Sequence, residues 1–82
     1  MDLRIKDIIT LEDSKEYIVT SIAKYENNHY FYLVDINENE KIKFCKLILS
    51  NGNANLLEIN DDKLLAIIVP ILYSNIKEEI NS

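Results

Sequence analysis

The stretch EYIVTSIAKYENNHYFYLVDIN, residues 16–37, decides the fold. Two runs rich in β-branched and aromatic residues, 16–25 and 29–37, flank a polar turn at 26–28, which is the pattern of two antiparallel strands. In the second run both alternating sets are largely apolar: Tyr30, Tyr32, Val34 and Ile36 on one face, and His29, Phe31, Leu33 and Asp35 on the other. A strand that is apolar on both faces belongs in the middle of a sheet. The first run also has apolar residues on both faces, and a bulge could shift its alternation midway.

Runs of the same kind lie on either side of this pair, at 7–11, 41–50 and 55–59. Turn-like segments at 12–15, 38–40 and 51–54 separate them. Connections this short can join only antiparallel neighbours. The sequence therefore predicts a meander of four to five strands, either open or curled into a half-barrel.

The C-terminal part has a different periodicity. Asp61 and Asp62 offer a helix N-cap, and an amphipathic spacing follows: Leu65, Ile68, Leu72 and Ile76. We predict one helix at about 62–79, kinked at Pro70 because proline removes a backbone donor from the helix interior. A strand over 65–69 is the alternative assignment, since short apolar runs fit either structure. Together with the meander, the helix makes residues 1–82 a single α+β domain.

Composition excludes several classes of protein. The 82 residues suffice for one hydrophobic core, and the formal net charge of -5 argues against binding to nucleic acid or to anionic membranes. One Cys and one His cannot form an intrachain disulfide or a Cys/His zinc cluster. Gly52 is the only glycine, so a glycine-rich phosphate loop is absent from the sequence. The apolar run 64–72 is shorter than the ~20 residues that span a bilayer.

Catalytic groups are sparse in this sequence. His29 and Cys45 could form a base and nucleophile pair across neighbouring strands, but a turn-edge histidine and a small core or semi-core cysteine explain these residues better. The acidic segment 35–40 lacks the glycine that a calcium loop needs at its bend. We therefore predict a non-enzymatic protein with no catalytic residues, no metal and no cofactor.

A nucleic-acid platform is also a weak interpretation. Aromatic residues 30–32 lie on a central strand, and Lys41, Lys43 and Lys46 lie on the next one. Adjacent strand residues point to opposite faces, so at most two of the three rings share a surface. We expect no nucleic-acid partner. No secretory signal precedes the first strand, and a cytoplasmic location with a reduced Cys45 is expected.

The predicted helix has more apolar side chains than a two-layer domain can cover. Residues 64–72 are apolar at every position, whereas a helix on a sheet buries a stripe of about 100°. The excess predicts a homodimer or another protein contact, with these interface candidates: Tyr25, Tyr30, Tyr32, Leu64, Ile68, Ile71 and Tyr73. The alternative is that a strongly curled sheet encloses the helix.

A second functional hypothesis uses the acidic surface. In it the protein is a small inhibitor, of the kind that mobile elements encode, that occupies the basic nucleic-acid-binding surface of a partner protein. The residues that would contact that partner are the acidic ones in the turns and at the helix start: Glu12, Asp13, Glu38, Glu40, Asp61 and Asp62.

The order of features resembles a family of small acidic bacterial proteins catalogued as domain of unknown function 1292. Four segments carry the resemblance: residues 16–19 with Tyr25, the aromatic run 30–33, the run 42–47, and 57–62 leading into a helix. Asp35 stands where a proline is expected, and Pro70 interrupts the helix. The resemblance implies a small, acidic, cytoplasmic protein, and it implies no activity or site residues.

Overall fold

The computed structural model describes residues 3–81, and the side chains of residues 3–76. It contains five strands and one helix: β1 (Ile8–Thr10), β2 (Glu16–Tyr25), β3 (Asn28–Asp35), β4 (Ile42–Ser50), β5 (Asn53–Glu58) and α1 (Asp62–Asn81). The strands are antiparallel in the order β1-β2-β3-β4-β5. The predicted α+β fold is confirmed: the meander is curled into a half-barrel, and the two-sided strand β3 lies at its centre.

Two of the connections between strands are two-residue turns. Glu26 and Asn27 join β2 to β3, and Asn51 and Gly52 join β4 to β5; all four have positive φ angles, between 49° and 81°. Positive φ at both central positions is the turn geometry that matches the twist of paired strands, and Asn-Gly adopts it readily. Because this turn needs only residues 51–52, β5 begins at Asn53, two residues earlier than the sequence pattern predicts.

A bulge at Thr20 divides β2 into two halves with opposite alternation. Val19 is opposite Leu33, but Ser21 is opposite Tyr32, so one extra residue lies between the two pairs. The side chains of Ser21 and Ala23 therefore share the face of Ile18 rather than that of Val19. This phase shift, which the two-sided composition of the strand suggested, brings the smallest residues of β2 under the helix.

Each face of the sheet has its own hydrophobic cluster. On the inner face, side chains from both edge strands pack on one cluster, which includes Val19, Leu33 and Cys45. The opposite face carries the helix, and there the buried cluster is Ala23, Tyr30, Ile68 and Leu72. The core is thus two thin layers that share the central strands.

The helix begins where the sequence places its cap. The Asp61 carboxylate accepts a hydrogen bond from the Lys63 amide at 2.9 Å, and the Asp61 carbonyl accepts one from Leu65. The helix continues through Pro70 to Asn81, so the alternative strand over 65–69 is wrong. Within residues 3–81, no helix is long and apolar enough to cross a membrane.

Two side-chain hydrogen bonds fasten the helix to β2. The buried Ser21 hydroxyl donates to the Leu72 carbonyl at 2.8 Å, and the Asn75 amide donates to the Ile22 carbonyl at 2.8 Å. Each bond joins residues that are more than fifty positions apart in the sequence, and the two bonds together set the position of the helix along β2.

Candidate interaction surfaces

The predicted interface residues fall into three groups by exposure. Tyr73 is 44% exposed on the outer side of the helix. Half-buried residues pack at the margin of the helix-bearing cluster: Tyr25, Tyr32, Leu64 and Ile71. The remaining two, Tyr30 and Ile68, are 2% and 0% exposed.

Tyr30 and Ile68 are therefore wrong as interface candidates. Both belong to the cluster between the sheet and the helix, where they already fill the space that an external partner would need to enter. Ile68 belongs to the same amphipathic stripe as Leu65 and Leu72, and this stripe is the face of the helix that packs against the sheet. The curled sheet does not enclose the helix fully, because Ile67 and Tyr73 stay exposed.

The helix covers only part of its sheet face, and an apolar row crosses the uncovered part. In the strand register Ile8 is opposite Ile18, Ile18 is opposite Val34, and Val34 is opposite Ile42. Directly opposite residues have neighbouring side chains. Ile8 and Ile42 are 56% and 39% exposed, and the two between them are half-buried. We name these four residues the apolar row.

An aromatic contact joins the apolar row to the helix. Tyr32 lies two residues before Val34 on the same face of β3, and its ring centroid is 5.5 Å from that of Tyr73. The Phe44 ring lies 5.2 Å from Tyr32 on the other side. Burial and the neighbouring Tyr73 hydroxyl raise the pKa of Tyr32 above its ordinary value. The uncovered surface is thus continuous from β1 to the outer side of the helix.

The six acidic candidates lie at one end of the meander. Glu12 and Asp13 are in the β1–β2 connection, and Glu38 and Glu40 are in the β3–β4 connection. In an up-and-down meander these two connections share an end with the segment that follows β5. Asp61 and Asp62, at the start of the helix, complete the group.

Three of these six carboxylates already have partners within the chain. Glu38 is paired with Lys41 at 2.8 Å, Asp13 with Lys43 at 3.2 Å, and Asp61 caps the helix. The acidic end is therefore less negative than the sequence suggests.

Lys43 lies at the centre of a polar cluster on the inner face. Its ammonium is 3.2 Å from Asp13 and 3.7 Å from Glu58, and it lies 5.6 Å from the centroid of the Tyr17 ring. The Tyr17 hydroxyl donates to the Asp13 carboxylate at 2.7 Å. Burial raises the pKa of Tyr17, and the bond to Asp13 adds to that rise. Burial opposes the charge on Lys43, but the two carboxylates outweigh it, and its pKa is raised.

Asp13 is expected to make stability depend on pH in the acid range. The hydrogen bonds from Tyr17 and from the Lys15 amide lower the pKa of Asp13 to about 2. A folded pKa below the unfolded value gives stability that is present above pH ~4 and lost as pH falls toward 2. In urea denaturation the wild type should be more stable than Asp13→Asn at neutral pH, and the difference should shrink across this range. A difference independent of pH would contradict the assignment.

The structure places Cys45 in the core and His29 at the surface. The Cys45 thiol is 1% exposed, and burial raises its pKa to about 11, which leaves it protonated at neutral pH. The thiolate is the nucleophilic form of cysteine. His29 is exposed at the start of β3 and lies opposite Lys24 of β2. Among the described residues, no group of three or more His, Cys, Asp and Glu side chains could hold a metal ion.

Comparisons with known proteins found no matching family model, no matching curated protein and no matching solved structure. The resemblance to domain of unknown function 1292 therefore stays a prediction.

Proposed function

We propose that this chain is a non-enzymatic protein-binding module that forms a homodimer through the apolar row and Tyr73. The observation that carries the proposal is the register of four strands, which aligns the residues of the apolar row. This row lies on the part of the sheet face that the helix does not cover. Soluble monomers rarely expose contiguous apolar surface of this kind without a use for it.

The size of the effect indicates a reversible dimer. Burying the exposed parts of Ile8, Ile42 and Tyr73 on two copies would contribute roughly 4–8 kcal/mol, if a full side chain contributes ~1.5–3 kcal/mol. Association itself costs an estimated ~4–15 kcal/mol. The expected gain lies wholly within the lower part of the range of the cost, so the net free energy of association is small, and we expect a dimer that dissociates on dilution.

The test is sedimentation or light scattering over a range of protein concentrations from micromolar to millimolar. The wild type should show a dimer that increases with concentration, and Ile42→Asp should weaken it by about tenfold or more, because a charge would be buried in the contact. Leu49→Asp is the matched control. Leu49 is 72% exposed on the same strand but lies outside the apolar row. A wild type that stays monomeric throughout contradicts the proposal.

A second function, inhibition of a nucleic-acid-binding protein, is favoured by one observation: the acidic residues share one end of the sheet. Glu12, Glu40 and Asp62 are exposed there, and an acidic end of this kind would suit a basic partner surface. Salt separates the two functions. Contacts between exposed charges are screened as salt rises, whereas apolar association persists.

A further inference from the structure

The half-barrel is open between its two edge strands. Two cavities, of about 200 and 480 Å³, lie between β1 and β5, and they share the lining residues Leu11, Glu12, Asn55 and Leu56. They therefore form one cleft, which follows β5 from Ala54 to Glu58 and continues to Asn60. Within residues 3–81, the strand order leaves one edge of β1 and one edge of β5 without a neighbouring strand along this cleft.

On its cleft side, the backbone of β5 presents groups that pair with no other strand of the described part of the chain. The Ile59 amide donates to the Phe44 carbonyl of β4 at 2.9 Å. In an antiparallel pair successive residues bond alternately inward and outward. It follows that Ala54, Leu56 and Glu58 direct their N–H and C=O groups away from β4, toward the cleft. Three outward residues, spanning the ~20 Å of a six-residue strand, provide the hydrogen-bonding edge for one more strand.

The chemistry of the cleft changes along its length. At one end most of the lining residues are apolar, among them Leu3, Ile9 and Leu56, and Glu12 lies where this end meets the other. At the other end, among the side chains that the structure describes, three carboxylates, those of Glu12, Asp13 and Glu58, line the cleft together with one ammonium, that of Lys43. The three carboxylates outnumber the ammonium, so this end carries net negative charge and favours a cationic group.

We infer that this cleft binds an extended peptide segment of a partner protein, which adds to the free edge of β5 as a sixth strand. The segment would run antiparallel to β5, with apolar side chains over Leu56 and a basic residue near its N-terminus, beside Glu12 and Glu58. Strand addition of this kind takes affinity from main-chain hydrogen bonds and specificity from alternate side chains. The site is on the opposite face from the apolar row, so this inference does not depend on self-association.

The first experiment measures binding of labelled peptides by fluorescence anisotropy. The probe is fluorescein-labelled Arg-Thr-Val-Thr-Val-Thr amide, which places Arg and both Val side chains on one face. The matched probe has Glu in place of Arg. We expect the Arg peptide to bind about tenfold more tightly than the Glu peptide, because the acidic end selects the cation. Amide shifts in a nitrogen-15 spectrum should concentrate at residues 54–58 and spare Ile18 and Val34.

Three outcomes would overturn the inference. The first is that neither peptide binds. The second is that argininamide alone binds as tightly as the Arg peptide, which would assign the acidic end to a small cation. The third is that the amides of residues 54–58 shift when protein concentration rises without any peptide, which would place a second copy on the edge.

Variants of the edge strand test the backbone contact. Ala54→Pro removes an outward N–H while sparing the pairing with β4, since proline is tolerated where an edge-strand amide faces away from the sheet. This substitution should lower the affinity for the Arg peptide about fivefold. The Ala54→Ser variant keeps the amide, so it should bind the Arg peptide as tightly as the wild type does. If Ala54→Pro does not fold, Glu58→Gln provides the second test and should reduce the preference for Arg over Glu. Unchanged binding in the folded Ala54→Pro variant, or unchanged preference in Glu58→Gln, contradicts the inference.

Discussion

Replacing Ile68 with Ala is expected to lower the free energy of unfolding by about 3–4 kcal/mol. Ile68 is 0% exposed and packs between the helix and the sheet with Ala23, Tyr30 and Leu72. Removing its side chain loses apolar burial and leaves a cavity that the short helix-bearing layer cannot close. For a domain of this size the total stability is on the order of 4–12 kcal/mol, so a substantial share would be lost.

The neighbouring residue provides the matched control for this prediction. Ile67 has the same side chain, but it is 43% exposed on the other side of the helix. Ile67→Ala should therefore cost less than about 1 kcal/mol. Urea denaturation followed by circular dichroism measures both. Equal losses would mean that the helix does not pack on the sheet through the face that carries Ile68 and Leu72.

Replacing Asp35 with Ala is expected to cost about 2–3 kcal/mol, the second largest effect of a single substitution. Asp35 is 2% exposed at the end of β3, and its Oδ1 accepts hydrogen bonds from the amides of Asn37 at 2.8 Å and Glu38 at 3.2 Å. Without this oxygen the turn into β4 loses the acceptor that orders it, and two amides must find other partners.

Asp35→Asn separates the hydrogen bonds from the burial of a carboxyl group. The amide side chain keeps an oxygen in the same place, so it should retain most of the stability that Asp35→Ala loses. Unfolding measurements give the stability of each variant, and hydrogen exchange at Asn37 and Glu38 should speed up only in the alanine variant. Equal destabilisation by both substitutions would show that the carboxyl group itself, rather than an acceptor oxygen at this position, stabilises the turn.

Much of the fold was predictable because its information is local. Alternation over 29–37 predicted the central strand, which the structure has at Asn28–Asp35, and short polar turns required antiparallel neighbours. The boundary of β5 was missed because the turn-forming residues continue past Gly52, and the pattern alone does not show that two of them complete the turn. The kink at Pro70 stays a prediction.

The candidate surfaces were only partly predictable. The excess of apolar residues in the helix was correctly recognised, and Tyr73 lies on an exposed surface. The apolar row was missed because its four residues belong to four different strands, and none is unusual within its own strand. Ile18 shares the helix-bearing face with Ser21 because the bulge at Thr20 shifts the alternation of β2. The sequence did not show where the bulge lies, so it did not assign Ile18 to this face.

The sequence by itself determined the order of the strands, their antiparallel pairing and the place where the helix begins, since each depends on residues close together in the chain. Only the tertiary structure decided which apolar residues are covered. The helix covers only the part of the sheet where contacts such as the hydrogen bond from Ser21 to Leu72 hold it. It leaves Ile8 and Ile42 uncovered. The cleft likewise arises because the curl of the sheet brings β1 near β5 without pairing them. No local pattern specifies that distance, because it accumulates from the twist of every strand between the two edges.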